Sequence, residues 1–263
     1  MKADKRLGQH FLRDPGILAE IAAVADVGRS AGALEIGPGE GAMTAFLLRS
    51  DVPVVALEKD ARAVIELRER FGDRLTVVAG DAVTDDLAAL LPPIRDGRLP
   101  IVVGNLPFNV GSAIFRRLLD LRGQVARIVV MLQKEVADRI VATAGSRAYG
   151  IPSVMTAMLA NAWIVVDVPP SAFSPRPKVD SSVVLVEFLT ETPLEDDEMK
   201  GFAAFLRSVF QSRRKTLGRT FSDDANALQV LEDMAIDASL RVEQLPPTTL
   251  LALHRTLREL PQL

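Results

Sequence analysis

Ala33-Leu34-Glu35-Ile36-Gly37-Pro38-Gly39-Glu40-Gly41-Ala42 runs an apolar strand into a glycine-rich turn and out toward a helix. Glycines there let the backbone turn sharply and approach a bound ligand closely. The spacing Gly37, Gly39, Ala42 fits the dinucleotide-binding fingerprint, and Glu58 closes the next strand, where a ribose-binding acid belongs. No Gly-Lys-Ser/Thr follows, so a phosphate-binding loop of the nucleotide-hydrolase kind is excluded.

Outward from this stretch, β-rich runs alternate with helical patterns. Strands are expected over Ala33–Gly37, Val54–Glu58, Leu75–Ala79, Ile101–Gly104, Ala126–Leu132, Ala162–Val168 and Val183–Phe188. Helical patterns fall near 40–49, 60–71, 111–121, 133–142 and 150–160. The alternation predicts an α/β fold with a mostly parallel sheet and helices on both faces. Four prolines between Val168 and Val183 forbid a crossover helix, which makes those two strands antiparallel neighbours. Thr190–Asp197 is acidic and polar, a linker by composition, and only helical periodicity follows. Two domains are expected, 1–189 and an all-α 190–263.

Composition narrows the class. A chain of 263 residues, 48% hydrophobic and 25% charged, suits a globular protein with one large domain and one small. Cysteine is absent, and His10 and His254 lie at opposite ends, so no metal is expected. The first seventeen residues lack the apolar core of a secretory signal, and no apolar run reaches membrane-spanning length. An intracellular, cytoplasmic protein is expected. The net charge of −3 does not advertise a nucleic-acid partner. Yet Arg207, Arg213, Arg214, Lys215 and Arg219 fall together with no acid among them, and phosphate binding depends on local basic surface. Such a run also suits a solvated helix face.

The richest chemistry lies in Asn105-Leu106-Pro107-Phe108, after the apolar run Pro100–Gly104. Pro107 holds Leu106 extended, which can turn consecutive carbonyls toward one point. Asn105 adds an amide oxygen and Phe108 a flat face for a planar base. Acceptors beside an aromatic plate suit an exocyclic amine; the same residues can also be plain turn punctuation.

Three features favour S-adenosylmethionine over a dinucleotide. The Glu35 carboxylate beside the loop would repel a pyrophosphate but tolerates a sulfonium and an ammonium. Pro38 removes an amide that a pyrophosphate would use. Asp81, after the third strand, can accept a hydrogen bond from an adenine amine. Phe173, on the proline-rich connection, could close the second face of a captured base, or pack as an ordinary loop aromatic.

Together these pieces resemble the small-subunit ribosomal RNA adenine dimethyltransferase family. The resemblance runs from Leu7-Gly8-Gln9-His10-Phe11-Leu12 through Glu35–Gly39, Glu58, Gly80-Asp81-Ala82 and Gly104–Asn109. It continues through Leu132–Arg139, Tyr149-Gly150, Pro169–Phe173, Pro177–Ser181 and Phe210–Leu217. The resemblance implies a Rossmann-like class I methyltransferase sheet of seven strands, the last antiparallel, with a small helical domain after it. It implies S-adenosylmethionine as cofactor and dimethylation of two adjacent adenosines near the 3′ end of 16S rRNA in an assembling small subunit. Carried over position by position, it assigns His10, Leu12, Gly37, Gly39, Glu58, Asp81 and Asn105 to the cofactor. Asn105 and Phe108 would also serve the target base; from the residues themselves, Leu106 and Pro107 are expected to join them in catalysis, and Phe173, Arg213, Arg214 and Lys215 to bind substrate with Phe108. A monomer is implied. Two positions depart from the family pattern: Phe108 where bacterial members mostly have Tyr, and Ile151 where many carry a cation. The rivals are a nicotinamide oxidoreductase, a catalytically silent assembly or transcription factor, and a large-subunit rRNA methylase of the macrolide-resistance type.

Overall fold

In a computed structural model, which describes Asp4 and residues 7–259, a seven-stranded sheet organises the first part of the chain. The strands are β2 (Ala33–Ile36), β3 (Val54–Glu58), β4 (Thr76–Ala79), β5 (Ile101–Asn105), β6 (Ile128–Gln133), β7 (Ala160–Val168) and β9 (Ser181–Phe188). Their order is β4-β3-β2-β5-β6-β9-β7. Parallel ladders join β2 to β3 and β5, β3 to β4, and β5 to β6, whereas β9 runs antiparallel between β6 and β7. The proline-rich return thus makes the antiparallel neighbours that four prolines demand.

Burial follows position in the sheet. All of β2 and all but the last residue of β5 and of β6 are buried, as strands covered on both faces must be. At the edges, β4 and β7 mix exposed with buried positions. Helix α3 (Ala61–Phe71) shows how the flanks are built. Asp60 caps it by accepting from Arg62 N–H at 3.0 Å, and Ala63, Val64, Leu67 and Phe71 form its buried stripe.

The sheet fixes where chemistry can happen. Strands β3 and β4 extend from one side of β2, while β5 and β6 extend from the other. The chain therefore changes direction between β2 and β5, and the crevice beyond their carboxyl ends is where such sheets bind ligands. Register puts Ile36 opposite Gly104, so Gly37 and Asn105 emerge side by side at that point.

Three elements go beyond the strands and helices read from sequence. Helix α1 (Pro15–Ala25) starts at Asp14, whose carboxylate accepts from Gly16 N–H at 2.9 Å and Ile17 N–H at 3.1 Å. An Asp-Pro pair announcing a helix was its overlooked signal. A two-residue strand β1 (Phe11–Leu12) pairs antiparallel with β8 (Phe173–Ser174), a contact too short and too distant in sequence for periodicity to reveal.

Packing divides the chain into two compact units: Met1–Ala137 with Asn161–Phe188, and Asp138–Ala160 with Leu189–Leu263. The second gathers α6 (Ile151–Leu159), α7 (Met199–Gln211), α8 (Leu217–Thr220), α9 (Ala225–Asp233) and α10 (Pro247–Glu259). Helix α6 lies in the sequence range of the first domain but packs with the C-terminal helices. Within this unit Tyr149 is fully buried and donates its hydroxyl to Leu245 O at 3.0 Å, and Arg255 grips Glu198 through two nitrogens at 2.8 and 2.6 Å. Among the described residues no helix is long and apolar enough to cross a membrane.

Candidate active site

The crevice at the switch point is an open cleft. Its floor is the glycine turn. Gly37 and Gly39 have φ of 66° and 56°, in the left-handed region, and Gly41 N–H closes the turn onto Pro38 O at 2.9 Å. A Cβ on Gly37 would come 3.5 Å from Asn105 O, into the gap between the two strand ends.

Glu58 ties this floor to the next strand. Its two oxygens accept from Gly39 N–H at 3.0 Å and Asp60 N–H at 2.7 Å. Burial pushes its carboxyl above the usual range, with those amides opposing the shift. A carboxylate has lone pairs beyond two such bonds, so Glu58 can still accept from a ligand hydroxyl.

Asp81, after β4, lines the far wall. Lys59 Nζ lies 2.8 Å from its Oδ2, and Val83 N–H donates to Oδ1 at 2.9 Å; the lysine chiefly, then the amide, hold its carboxyl below the usual range. The loop carrying Asp81 is clamped from α4 (Gly111–Leu119). Arg117 donates to Ala82 O at 2.8 Å and to Asp85 O at 2.7 Å.

At the end of β5 the four-residue turn divides its polar groups. Leu106 is buried and its N–H donates to Met131 O at 3.1 Å. Pro107 O accepts from Val110 N–H at 3.2 Å, which starts α4. Leu106 O has no backbone donor among the described residues. Asn105 Nδ2 donates to His10 O at 2.9 Å, which fixes the sense of the amide and leaves Oδ1 without a protein donor among the described residues. Phe108 lines the cleft, and the His10 ring lies 5.0 Å from it at 33°.

His10 belongs to a segment that roofs the cleft. Its Nδ1 lies 2.8 Å from Pro175 O, and because a carbonyl only accepts, Nδ1 carries the proton. Gln9 Nε2 reaches Asp60 Oδ2 at 3.1 Å, and Phe11 packs so closely over Gly39 that a Cβ there would lie 2.8 Å from the ring. Arg13 pairs with Glu40 just beyond.

A second cavity adjoins the first, sharing Phe11, Gly37 and Asn105. Leu12 and Glu35 line this one and not the main cleft. Glu35 accepts from Thr44 Oγ1 at 2.6 Å, and burial raises its pKa to about 7, with the Glu58 charge adding to the rise.

The cleft thus brings together His10, Gly37, Gly39, Glu58, Asp81, Asn105, Leu106, Pro107 and Phe108. Phe173 is elsewhere: it is 5% exposed, pairs with Leu12 and packs in the hydrophobic core, not on the cleft wall. Arg213, Arg214 and Lys215 lie in the second unit after α7. Arg213 is half-buried, donating to Arg147 O at 2.6 Å with Glu243 at 3.5 Å, while Arg214 and Lys215 are exposed.

Residues 1–259 match the family described as ribosomal RNA adenine dimethylase. The chain belongs to that family. A small-subunit ribosomal RNA methyltransferase A of Prochlorococcus marinus (strain MIT 9211) is 38% identical, aligned over 99% of this chain and 95% of its own. Among solved structures, a dimethyladenosine transferase from Plasmodium falciparum superposes with a TM-score of 0.81 at 27% identity, over 93% of this chain and 96% of its own. The 23S rRNA methyltransferase ErmE gives 0.72 at 25% identity, over 95% and 100%. Against this adenine dimethylase background, residues that sequence reasoning missed become visible. Lys59, Arg117 and the Gln9–Asp60 pair all act on cleft residues; Gln9 lies inside the Leu7–Leu12 motif but was given no role, and the other three belong to no recognisable motif. Lys59, next to Glu58, and Gln9, next to His10, were the ones that adjacency could have flagged.

Proposed function

We propose that the protein transfers methyl groups from S-adenosylmethionine to the exocyclic amines of two adjacent adenosines near the 3′ end of 16S rRNA. It does so as a monomer on an assembling small subunit in the cytoplasm. The observation that carries this reading is Asn105: its amide N–H is spent on His10 O, so Oδ1 stands free beside Phe108 on a cleft that also holds Glu58 and Asp81.

The residues present fit the cofactor. The space a side chain at Gly37 would fill remains open between the two strand ends. Glu58 offers lone pairs to ribose hydroxyls and Asp81 to the adenine amine, while Glu35 lines the adjoining cavity and not this cleft. S-adenosylmethionine supplies an electrophilic methyl on a sulfonium.

The ring amine of adenine is a poor nucleophile because its lone pair is delocalised. Oδ1 of Asn105 and the carbonyl of Leu106 accept its two N–H bonds and favour a pyramidal nitrogen with its lone pair exposed. Pro107 O is engaged by Val110, which leaves Leu106 O as the second acceptor. Phe108 holds the base on one face after it leaves its stack. No strong base is needed, since the proton becomes acidic once the nitrogen is alkylated. Positioning and fixed dipoles carry the rate.

The small subunit is favoured over the large one by the small-subunit name of the 38%-identical relative, against 25% identity to ErmE. Incubating the protein with under-methylated small subunits and labelled donor, followed by nucleoside analysis, tests the reading. N6,N6-dimethyladenosine at two neighbouring positions of 16S rRNA is the expected product. Label in any other nucleoside of 16S rRNA, or no transfer at all, overturns it.

A further inference from the structure

The segment Pro175–Asp180 is held at both ends and loaded with unpaired charge. Upstream, Arg13 N–H donates to Ala172 O at 2.8 Å, Phe11 pairs with Ser174, and Pro175 O binds His10 Nδ1 at 2.8 Å. Downstream, Asp180 O accepts from Lys134 N–H at 2.9 Å and Ser181 enters β9 opposite Gln133. Between these anchors Arg176 and Lys178 are exposed, and neither has an ion-pair partner among the described residues. The nearby Asp167 is already held by Lys134 at 3.0 Å and by Ser182 at 2.7 Å. Pro177 is buried beneath, while Val179 is 44% exposed.

We propose that this loop is the rim on which single-stranded RNA docks beside the cleft, with Arg176 and Lys178 binding the phosphates that flank the target adenosine and Val179 packing against a sugar. This rests on the methyltransferase reading. The bond from Pro175 O to His10, a residue of the cleft wall, sets the loop at the cleft border. Two anchored ends mean that little ordering entropy is lost on binding. Two prolines in four residues stiffen the span further. Cations at alternate positions with an apolar side chain after them match a polyanion with apolar sugars, and match neither an acidic peptide nor a small anion as well.

The test is the Arg176→Ala/Lys178→Ala double variant, with Arg176→Lys/Lys178→Arg as the charge-preserving partner. Affinity for under-methylated small subunits is measured across a salt series, and S-adenosylhomocysteine affinity by calorimetry. In the double variant the slope of log K against log salt is expected to shrink by about 1.4, the counterions of two single-strand phosphates at ~0.7 each. The charge-preserving pair is expected to keep the wild-type slope, and donor affinity to stay within about twofold in both. An unchanged slope overturns the proposal, as does a loss confined to donor affinity, which would make the loop a support for His10. Failure of the methyltransferase reading is distinct: the wild type would then form no dimethyladenosine on the same subunits.

Discussion

In the proposed mechanism Asn105 performs two tasks with one amide, and substitutions can separate them. In Asn105→Ala both ends vanish, and turnover should fall by about two to three orders of magnitude, as when an oriented donor or acceptor at a reacting atom is removed. Asn105→Asp retains oxygen atoms for the amine but turns one against His10 O, where Nδ2 now donates at 2.9 Å. Donor affinity, read by calorimetry, should therefore be weaker in the Asp variant than in the Ala variant; equal affinities would remove the His10 bond from the account. Glu35 makes a second prediction at this scale. Its folded pKa is about 7 against an ordinary 4.5, so between those values the folded protein holds a proton that the unfolded chain releases. Stability from this site is complete below pH 4.5 and is lost as pH rises through 7, by up to about 3 kcal/mol. Glu35→Gln, neutral throughout, should flatten the melting temperature between pH 5 and 8 and be the more stable protein at pH 8. A slope as steep as wild type would assign the effect to Glu58, whose carboxyl is shifted the same way. Both residues were visible in the sequence, but the use of Asn105 N–H was not, since its partner lies 95 residues away.

At the scale of elements, α4 links the two halves of the site. It starts in the turn that presents Phe108 and ends with Arg117 gripping the two carbonyls of the Asp81 loop. Arg117→Met keeps the stem and removes both bonds, so S-adenosylhomocysteine affinity should drop by about tenfold, given ~1.5 kcal/mol for a hydrogen bond from a charged group. A lowered melting temperature with intact affinity would make the clamp purely structural. The seven long strands were legible because apolar runs and turn residues report burial in a parallel sheet. The β1–β8 pair and Arg117 were not, because two-residue strands carry no period and a long side chain's reach depends on the finished fold.

For the whole molecule, the question is where rRNA charge is met. Arg214 and Lys215 are exposed in the second unit, whereas Arg213 is tied to Arg147 O and Glu243. Arg214→Ala/Lys215→Ala should weaken small-subunit binding and reduce its salt slope by one to two phosphate equivalents, while Arg213→Ala should also lower the melting temperature of the helical unit. An unchanged slope in the first variant would place RNA contact elsewhere. Charge counting had found the cluster but could not tell an engaged arginine from a free one. The global charge of −3 concealed it entirely. The roof over the cleft has one further consequence. Leu7–Leu12 reaches Asp60 through Gln9 and Asn105 through His10, so in the proposed function, with donor on the first side and base on the second, an occupant that steadies this strap on one side pre-orders the other. Thermodynamic reciprocity then requires that RNA tighten the grip on donor by the same factor that donor tightens the grip on RNA, so the two guests arrive as allies.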